Sequence, residues 1–159
     1  LLRPRVLGRV LPAPGGTEAL PACLGEGSRP HAQVLREVMD QTRGLSLTLR
    51  RLARRSPGRA ARVLLALSAR LDREARRLSA AYFLITGERY APGQAPFPLS
   101  GPLEQGLRAL FRQFLLRASR LQGSALEVGV PCLKELLQEL EDQAEHSANR
   151  LRALLEELT

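Results

Sequence analysis

The stretch from Ala60 to Ile85 repeats apolar residues at helical spacing and interrupts them once with a carboxylate. Steps of three and four residues place the whole series on one face of an α-helix. Glu74 lies on this face, midway between Leu71 and Leu78, so we expect it to point into a core. Buried carboxylates are paired, hydrogen-bonded, protonated or metal-bound, so the partner of Glu74 is the main functional question. The apolar members are Ala60, Leu64, Leu67, Leu71, Leu78, Ala81 and Ile85.

Three further segments carry the same helical period, and no segment alternates apolar and polar residues as a strand would. Proline and glycine predict an irregular connection over 88–102 and a helix break or linker over 122–130. Residues 1–30 have no sustained period and predict an extended or disordered arm, so the folded domain is expected to span 31–159. The predicted helices cover 31–55, 57–86, 103–121 and 131–158.

The connections between these helices are short, long and short. Short connections make antiparallel hairpins, whereas a long central connection can run the length of a bundle and leave helices two and three parallel. The predicted fold is therefore an all-α, ferritin-like four-helix bundle with one long crossover between helices two and three. The residues expected to face the core are Val34, Val38, Leu45, Leu49 and Leu52 in helix one, Leu107, Leu110, Phe111, Phe114 and Leu115 in helix three, and Leu133, Leu136, Leu140, Gln143, Ser147, Leu151, Leu154 and Leu158 in helix four.

The end of helix two, AAYFLITGERY at 80–90, resembles the rubrerythrin-like branch of the ferritin-like superfamily. A looser similarity covers 34–158 and includes PCLKELLQELEDQAEHSANRLRALL at 131–155. The resemblance implies a bundle core that holds two irons. Their ligands would be one Glu from each of two helices and a Glu-x-x-His motif from each of the other two, because residues three apart share a helix face.

The sequence departs from this ligand pattern in all four helices. Helix two has Leu71 and Glu74 where Glu-x-x-His is implied, and helix four has Gln143 and His146. Helix one has no acid from Gln41 to its end, and helix three has none before its predicted end at residue 121 apart from Glu104. We therefore expect a degenerate family member without metal, with Glu74 and His146 as the only weak candidate ligands. No catalytic or cofactor-binding residues are predicted.

Glu74 is expected to be neutralised inside the protein. The predicted partner is an arginine, such as Arg43, Arg108 or Arg112, or the imidazole of His146. Gln143 is expected to be a core amide bonded to Glu74 or to a neighbouring helix, and His146 a structural side chain.

Charge is distributed unevenly along a chain whose formal net charge is +8. Residues 41–77 contain 11 Arg against two acids, whereas residues 127–159 contain eight acids against three basic residues. Opposite charges on different helices favour attraction within the fold or between subunits. A nucleic-acid surface is less favoured, because aromatic residues make up 4% of the chain and Trp is absent.

The remaining composition predicts a cytoplasmic protein. No run of 18 apolar residues is present, so no membrane partner is expected. Cys23 and Cys132 are the only cysteines, and they predict neither a disulfide framework nor a zinc site. Cys132 is interpreted as a small packing side chain at a helix start.

Two functions from different classes follow from the sequence. The first is a non-catalytic structural or interaction protein, either a homodimer or the binder of an unidentified protein. The alternative is a rubrerythrin-like oxidoreductase or peroxide-handling protein with a residual iron or manganese site. A basic bundle that shields DNA is a third hypothesis, which would require a steep salt dependence of binding.

Overall fold

The computed structural model describes residues 25–93 and 96–159, which form four long helices without a strand in those ranges. A 3₁₀ helix, Glu26–His31, precedes the first α-helix. Residues 1–24 of the predicted arm, 1–30, lie outside the described residues. The last part of the arm belongs to this 3₁₀ helix. The all-α prediction is confirmed. The helices are α1, Ala32–Arg54; α2, Gly58–Thr86; α3, Leu103–Glu127; and α4, Pro131–Leu158.

Helix α3 is six residues longer than the sequence predicts, because the predicted break at 122–130 begins only after Glu127. Leu121 and Ala125 are buried and continue the apolar stripe of α3 past the expected end. Gly123 lies between them in the helix, with open space where a Cβ would stand. Burial of this stripe outweighs the cost of about 1 kcal/mol that glycine brings to a helix interior.

Gly123→Ala is therefore expected to raise the free energy of unfolding by about 0.5–1 kcal/mol, because Ala loses less chain entropy in a helix and meets no neighbour. Urea denaturation measures the change. The control is Gly87→Ala: Gly87 ends α2 with φ of 74°, in the left-handed region, and Ala there should cost about 1–2 kcal/mol. No gain at Gly123 would argue against a continuous α3.

Two apolar clusters fill the two ends of the bundle. The first joins the second half of α1, the first halves of α2 and α3, and the second half of α4. The second joins the complementary halves of the same helices. On α2, Leu71 belongs to the first cluster and Leu78 to the second, and Glu74 lies between them. The middle of the bundle is thus the level at which a buried polar group interrupts the core.

The described parts of the long connection, 87–93 and 96–102, follow α1 along its length. Asp40 accepts hydrogen bonds from the Tyr90 hydroxyl at 2.9 Å and from the backbone N–H of Gly93 at 2.7 Å. Further along, the backbone N–H of Phe97 donates to Thr48 Oγ1 at 2.9 Å. Arg55, just past the end of α1, donates to the Leu99 carbonyl at 3.2 Å. The connection therefore delivers the chain to the end of α1, where α3 begins.

Some predicted core positions lie elsewhere. Leu115 is 45% exposed and Leu158 is 40% exposed, so their assignment to the core is wrong. Phe111 is only partly buried against the first cluster, and Gln143 is half-buried on α4. On α3 the buried stripe passes instead through Arg117, which explains why Leu115 turns outward.

Candidate functional site

The core carboxylate predicted on α2 is buried, and its partner is a buried guanidinium on α3. Arg117 Nη2 donates to Glu74 Oε1 at 3.0 Å, and the two side chains are 0% and 7% exposed. A second nitrogen of the same guanidinium, Nη1, donates to Gln41 Oε1 on α1 at 3.1 Å. We call Gln41, Glu74 and Arg117 the buried polar layer, since they link three helices between the two apolar clusters.

Arg117 stands at a core position for the same reason that Glu74 does. Leu107, Leu110, Phe114 and Leu121 are buried, and their spacing leaves one slot of the helical stripe, at residue 117. The spacing rule that places Glu74 inside therefore also places Arg117 inside. This signal was present in the sequence, but the predicted stripe of the helix ran through Phe111 and Leu115 and did not reach residue 117.

The prediction that an arginine neutralises Glu74 inside the protein is confirmed, but the arginine is Arg117 and none of the residues named for this role. Arg108 and Arg112 are exposed on the outer side of α3, and His146 is exposed on α4. Arg43 donates to Asp72 at 3.4 Å instead. The structure therefore does not place His146 beside Glu74 in the core.

Burial works against both charges of the pair. Burial raises the pKa of Glu74 above its ordinary value, although the charge and hydrogen bond of Arg117, and then the charges of Arg70 and Arg77, oppose that rise. Burial likewise lowers the pKa of Arg117, and Glu74 opposes that change. In both groups desolvation is the largest effect, so the attraction between the charges offsets the cost of burying them only in part.

The Arg117 guanidinium also has a donor that is not used. Its Nε atom is buried and makes no hydrogen bond among the described residues. A buried donor without an acceptor costs about 1–3 kcal/mol. Hydrogen bonds from Nη1 and Nη2 of Arg117 therefore stabilise the buried polar layer, whereas the unpaired Nε destabilises it.

A second polar group fixes the α1–α2 hairpin nearer the surface. Asp72 accepts hydrogen bonds from Ser46 at 2.7 Å and from Arg50 at 3.1 Å. Ser46 and Ser68 share a hydrogen bond of 2.8 Å. Neither histidine takes part in these contacts, so the serines have no general base of the kind that activates a nucleophile. We interpret this group as a structural contact that sets the register of the two helices.

The buried polar layer does not fit a di-iron centre. Of its three side chains only Glu74 is a carboxylate, and an oxygen of that carboxylate is engaged by a fixed cation. In 25–93 and 96–159 no group of three or more His, Cys, Asp or Glu side chains is arranged to hold a metal ion. The contact that this layer makes is the neutralisation of one buried charge by another.

Cys132, the second residue of α4, is disulfide-bonded. The interpretation of this residue as a packing thiol is therefore wrong.

A cavity of about 610 Å³ lies between α1, the long connection and α3. Gln41 lines it, so the cavity borders the buried polar layer. The charged residues that line this cavity include Glu37, Asp40 and Arg120. The Asp40 carboxylate already accepts hydrogen bonds from the connection, which gives this acid a structural role.

Comparison with known protein families, with curated proteins and with solved structures finds no match to this chain. Within the described part of the chain, none of the helices combines the length and the apolar character needed to cross a bilayer.

Proposed function

We propose that this protein is a non-catalytic bundle of the ferritin-like type that has lost its di-iron site and acts as a structural or interaction protein. The observation that carries the proposal is the 3.0 Å contact between Arg117 Nη2 and Glu74 Oε1 in the middle of the core. An internal cation at this position performs the neutralisation that the resemblance assigns to metal ions.

The directions of the helices support the ferritin-like interpretation. Along α1, residues 36, 46 and 50 bond residues 82, 72 and 68 of α2, so these helices are antiparallel. Gln41 meets Arg117, and Leu52 packs on Gly106, so α1 is also antiparallel to α3. Helices α2 and α3 then run in the same direction, which is the arrangement that one long crossover produces.

Electrostatics supports the proposal that the pair takes the place of a metal centre. A metal cation at Glu74 would lie within a few ångströms of the Arg117 guanidinium, where like charges repel strongly because the surroundings are of low polarity. Arginine also stays protonated over the whole physiological range. Neutralising Glu74 with Arg117 therefore competes directly with binding a metal to the same carboxylate.

The test is the metal content of the protein purified without chelator from cells supplied with iron and manganese. We expect iron and manganese far below one equivalent per chain in the wild type, in Glu74→Ala and in Glu135→Ala, whose acid is exposed on α4. Stoichiometric metal that is lost only in Glu74→Ala would overturn the proposal and support the oxidoreductase alternative.

The cytoplasmic location stays a prediction.

A further inference from the structure

The geometry points to the α2–α4 face as a self-complementary surface that binds a second copy of this chain. This inference rests on the proposed interaction role and names its partner. It is carried by the register of the two helices, by the placement of their exposed charges and by an apolar groove between them.

Two ion pairs fix the register of α2 against α4. Arg59 binds Glu157 through two hydrogen bonds, at 2.6 and 2.9 Å, and Arg77 binds Glu139. Residue numbers rise along one helix as they fall along the other, so α2 and α4 are antiparallel. In both pairs the two numbers add to 216, which places residue 73 of α2 level with residue 143 of α4, and residue 76 level with residue 140.

Beyond these pairs, the outer sides of the two helices carry opposite charges. Arg73 and Arg76 on α2 are exposed, and neither makes an ion pair or hydrogen bond among the described residues. Asp142 and Glu145 on α4 are exposed and equally without such contacts. The pKa of the neighbouring Glu141 is raised, chiefly by burial and then by the charges of Glu145 and Asp142. Because Asp142 and Glu145 are exposed and make no ion pair among the described residues, the outer side of α4 carries an acidic stripe.

A positive stripe beside an antiparallel negative stripe is complementary to its own copy. A two-fold axis that runs along the groove, parallel to both helices, lays α2 of one copy over α4 of the other and keeps each residue at its level. Arg76 then lies within two residues of the level of Asp142, and Arg73 within two residues of the level of Glu145. Each of these contacts occurs twice, as an isologous interface requires.

The groove supplies the apolar part of the surface. It has a volume of about 600 Å³, and Ala80, Ala81, Leu84 and Leu136 are among the residues that line it. Leu84 is 56% exposed in the single chain. Association through charge alone is weak in salt, whereas burial of apolar side chains next to the charged stripes gives a more stable contact. The acidic stripe beside the arginines also disfavours a nucleic acid, because phosphates would be repelled by it.

The experiment reverses each stripe separately and then mixes the two proteins. The base-reversed variant is Arg73→Glu with Arg76→Glu, and the acid-reversed variant is Asp142→Arg with Glu145→Arg. Sedimentation velocity at physiological salt measures the dissociation constant of the dimer. We expect each variant alone to dimerise at least ~100-fold more weakly than the wild type, because like charges then face each other.

Mixing the two variants is expected to restore a dimer of wild-type strength. In the mixed dimer, the now acidic stripe on α2 of the base-reversed variant faces the now basic stripe on α4 of the acid-reversed variant. The unchanged acidic and basic stripes face each other at the second contact. The matched control, Arg108→Glu with Arg112→Glu, makes the same charge change on the exposed side of α3 and should dimerise like the wild type.

A monomeric wild type, a dimer that survives both reversals, or a mixture that stays monomeric would each overturn the inference. Circular dichroism establishes that each variant is folded before its mass is measured. Metal content tests the proposed function by itself, so a metal-free monomer would remove the self-association surface and leave the loss of the di-iron site standing.

Discussion

Replacing Arg117 with Met is expected to lower the free energy of unfolding by about 3–5 kcal/mol, because it leaves the Glu74 carboxylate buried without its cation. For a chain of this size that loss should reduce the melting temperature by roughly 6–20 °C. Met has a similar length and lacks polar donors, so the change removes charge more than it removes volume. Urea denaturation at neutral pH measures the effect.

The double variant Glu74→Leu with Arg117→Met separates the charge from the packing. With both charges gone, the desolvation cost also disappears, so stability is expected to return to within about 1 kcal/mol of the wild type or to exceed it. Arg59→Met is the surface control: it breaks an exposed ion pair with Glu157 and should change stability little. If the double variant is as unstable as Arg117→Met, the lost stability comes from packing and not from the ion pair.

The buried polar layer also constrains which helix faces can meet. It lies between two apolar clusters, and Arg117 reaches both α1 and α2 from α3. Sliding α3 by one turn would place Arg117 against an apolar cluster and leave Glu74 without a partner. Each misplaced charge would cost several kcal/mol, whereas the apolar side chains alone could tolerate such a shift more easily. The pair therefore favours one register even though it contributes little net stability.

Helical periodicity predicted one half of this pair and could have predicted the other. Glu74 was placed in the core because α2 has a single clean apolar stripe, and that placement is confirmed. Helix α3 was harder, because Phe111, Leu115 and Leu116 put apolar residues on several faces and drew the predicted stripe away from Arg117. The burial of Leu110, Phe114 and Leu121 in the structure shows that residue 117 lies on the core-facing side of α3.

Other features depend on contacts that local sequence does not encode. The end of α3 was misplaced because packing of Leu121 and Ala125 outweighs the helix-breaking tendency of Gly123. Gln41 entered the polar layer through a contact 76 residues away in the chain. The di-iron ancestry of the fold rests on the resemblance alone and stays a prediction.

In the Arg117→Met background, stability is expected to fall as pH rises above the ordinary carboxyl pKa. Burial already raises the pKa of Glu74 from its ordinary value of 4.5, and removing the opposing cation raises it further. Between the unfolded and folded pKa values the folded state holds one more proton, so the free energy of unfolding decreases by up to about 1.4 kcal/mol per pH unit. The deficit relative to the wild type should therefore be smallest near pH 4.5 and greatest at neutral pH, as urea denaturation over this range would measure.

Adding Glu74→Gln to the Arg117→Met variant tests whether Glu74 is the group that binds the extra proton. Gln keeps the shape of the protonated carboxyl and cannot ionise, so the extra pH dependence should disappear and the neutral-pH deficit should shrink. The wild type should show a weaker dependence of the same sign, because Arg117 opposes protonation of Glu74 without abolishing the effect of burial. An unchanged slope after Glu74→Gln would place the proton on another residue. It would also mean that Glu74 stays ionised in the core without Arg117, which would require a different source of neutralisation at the centre of the bundle.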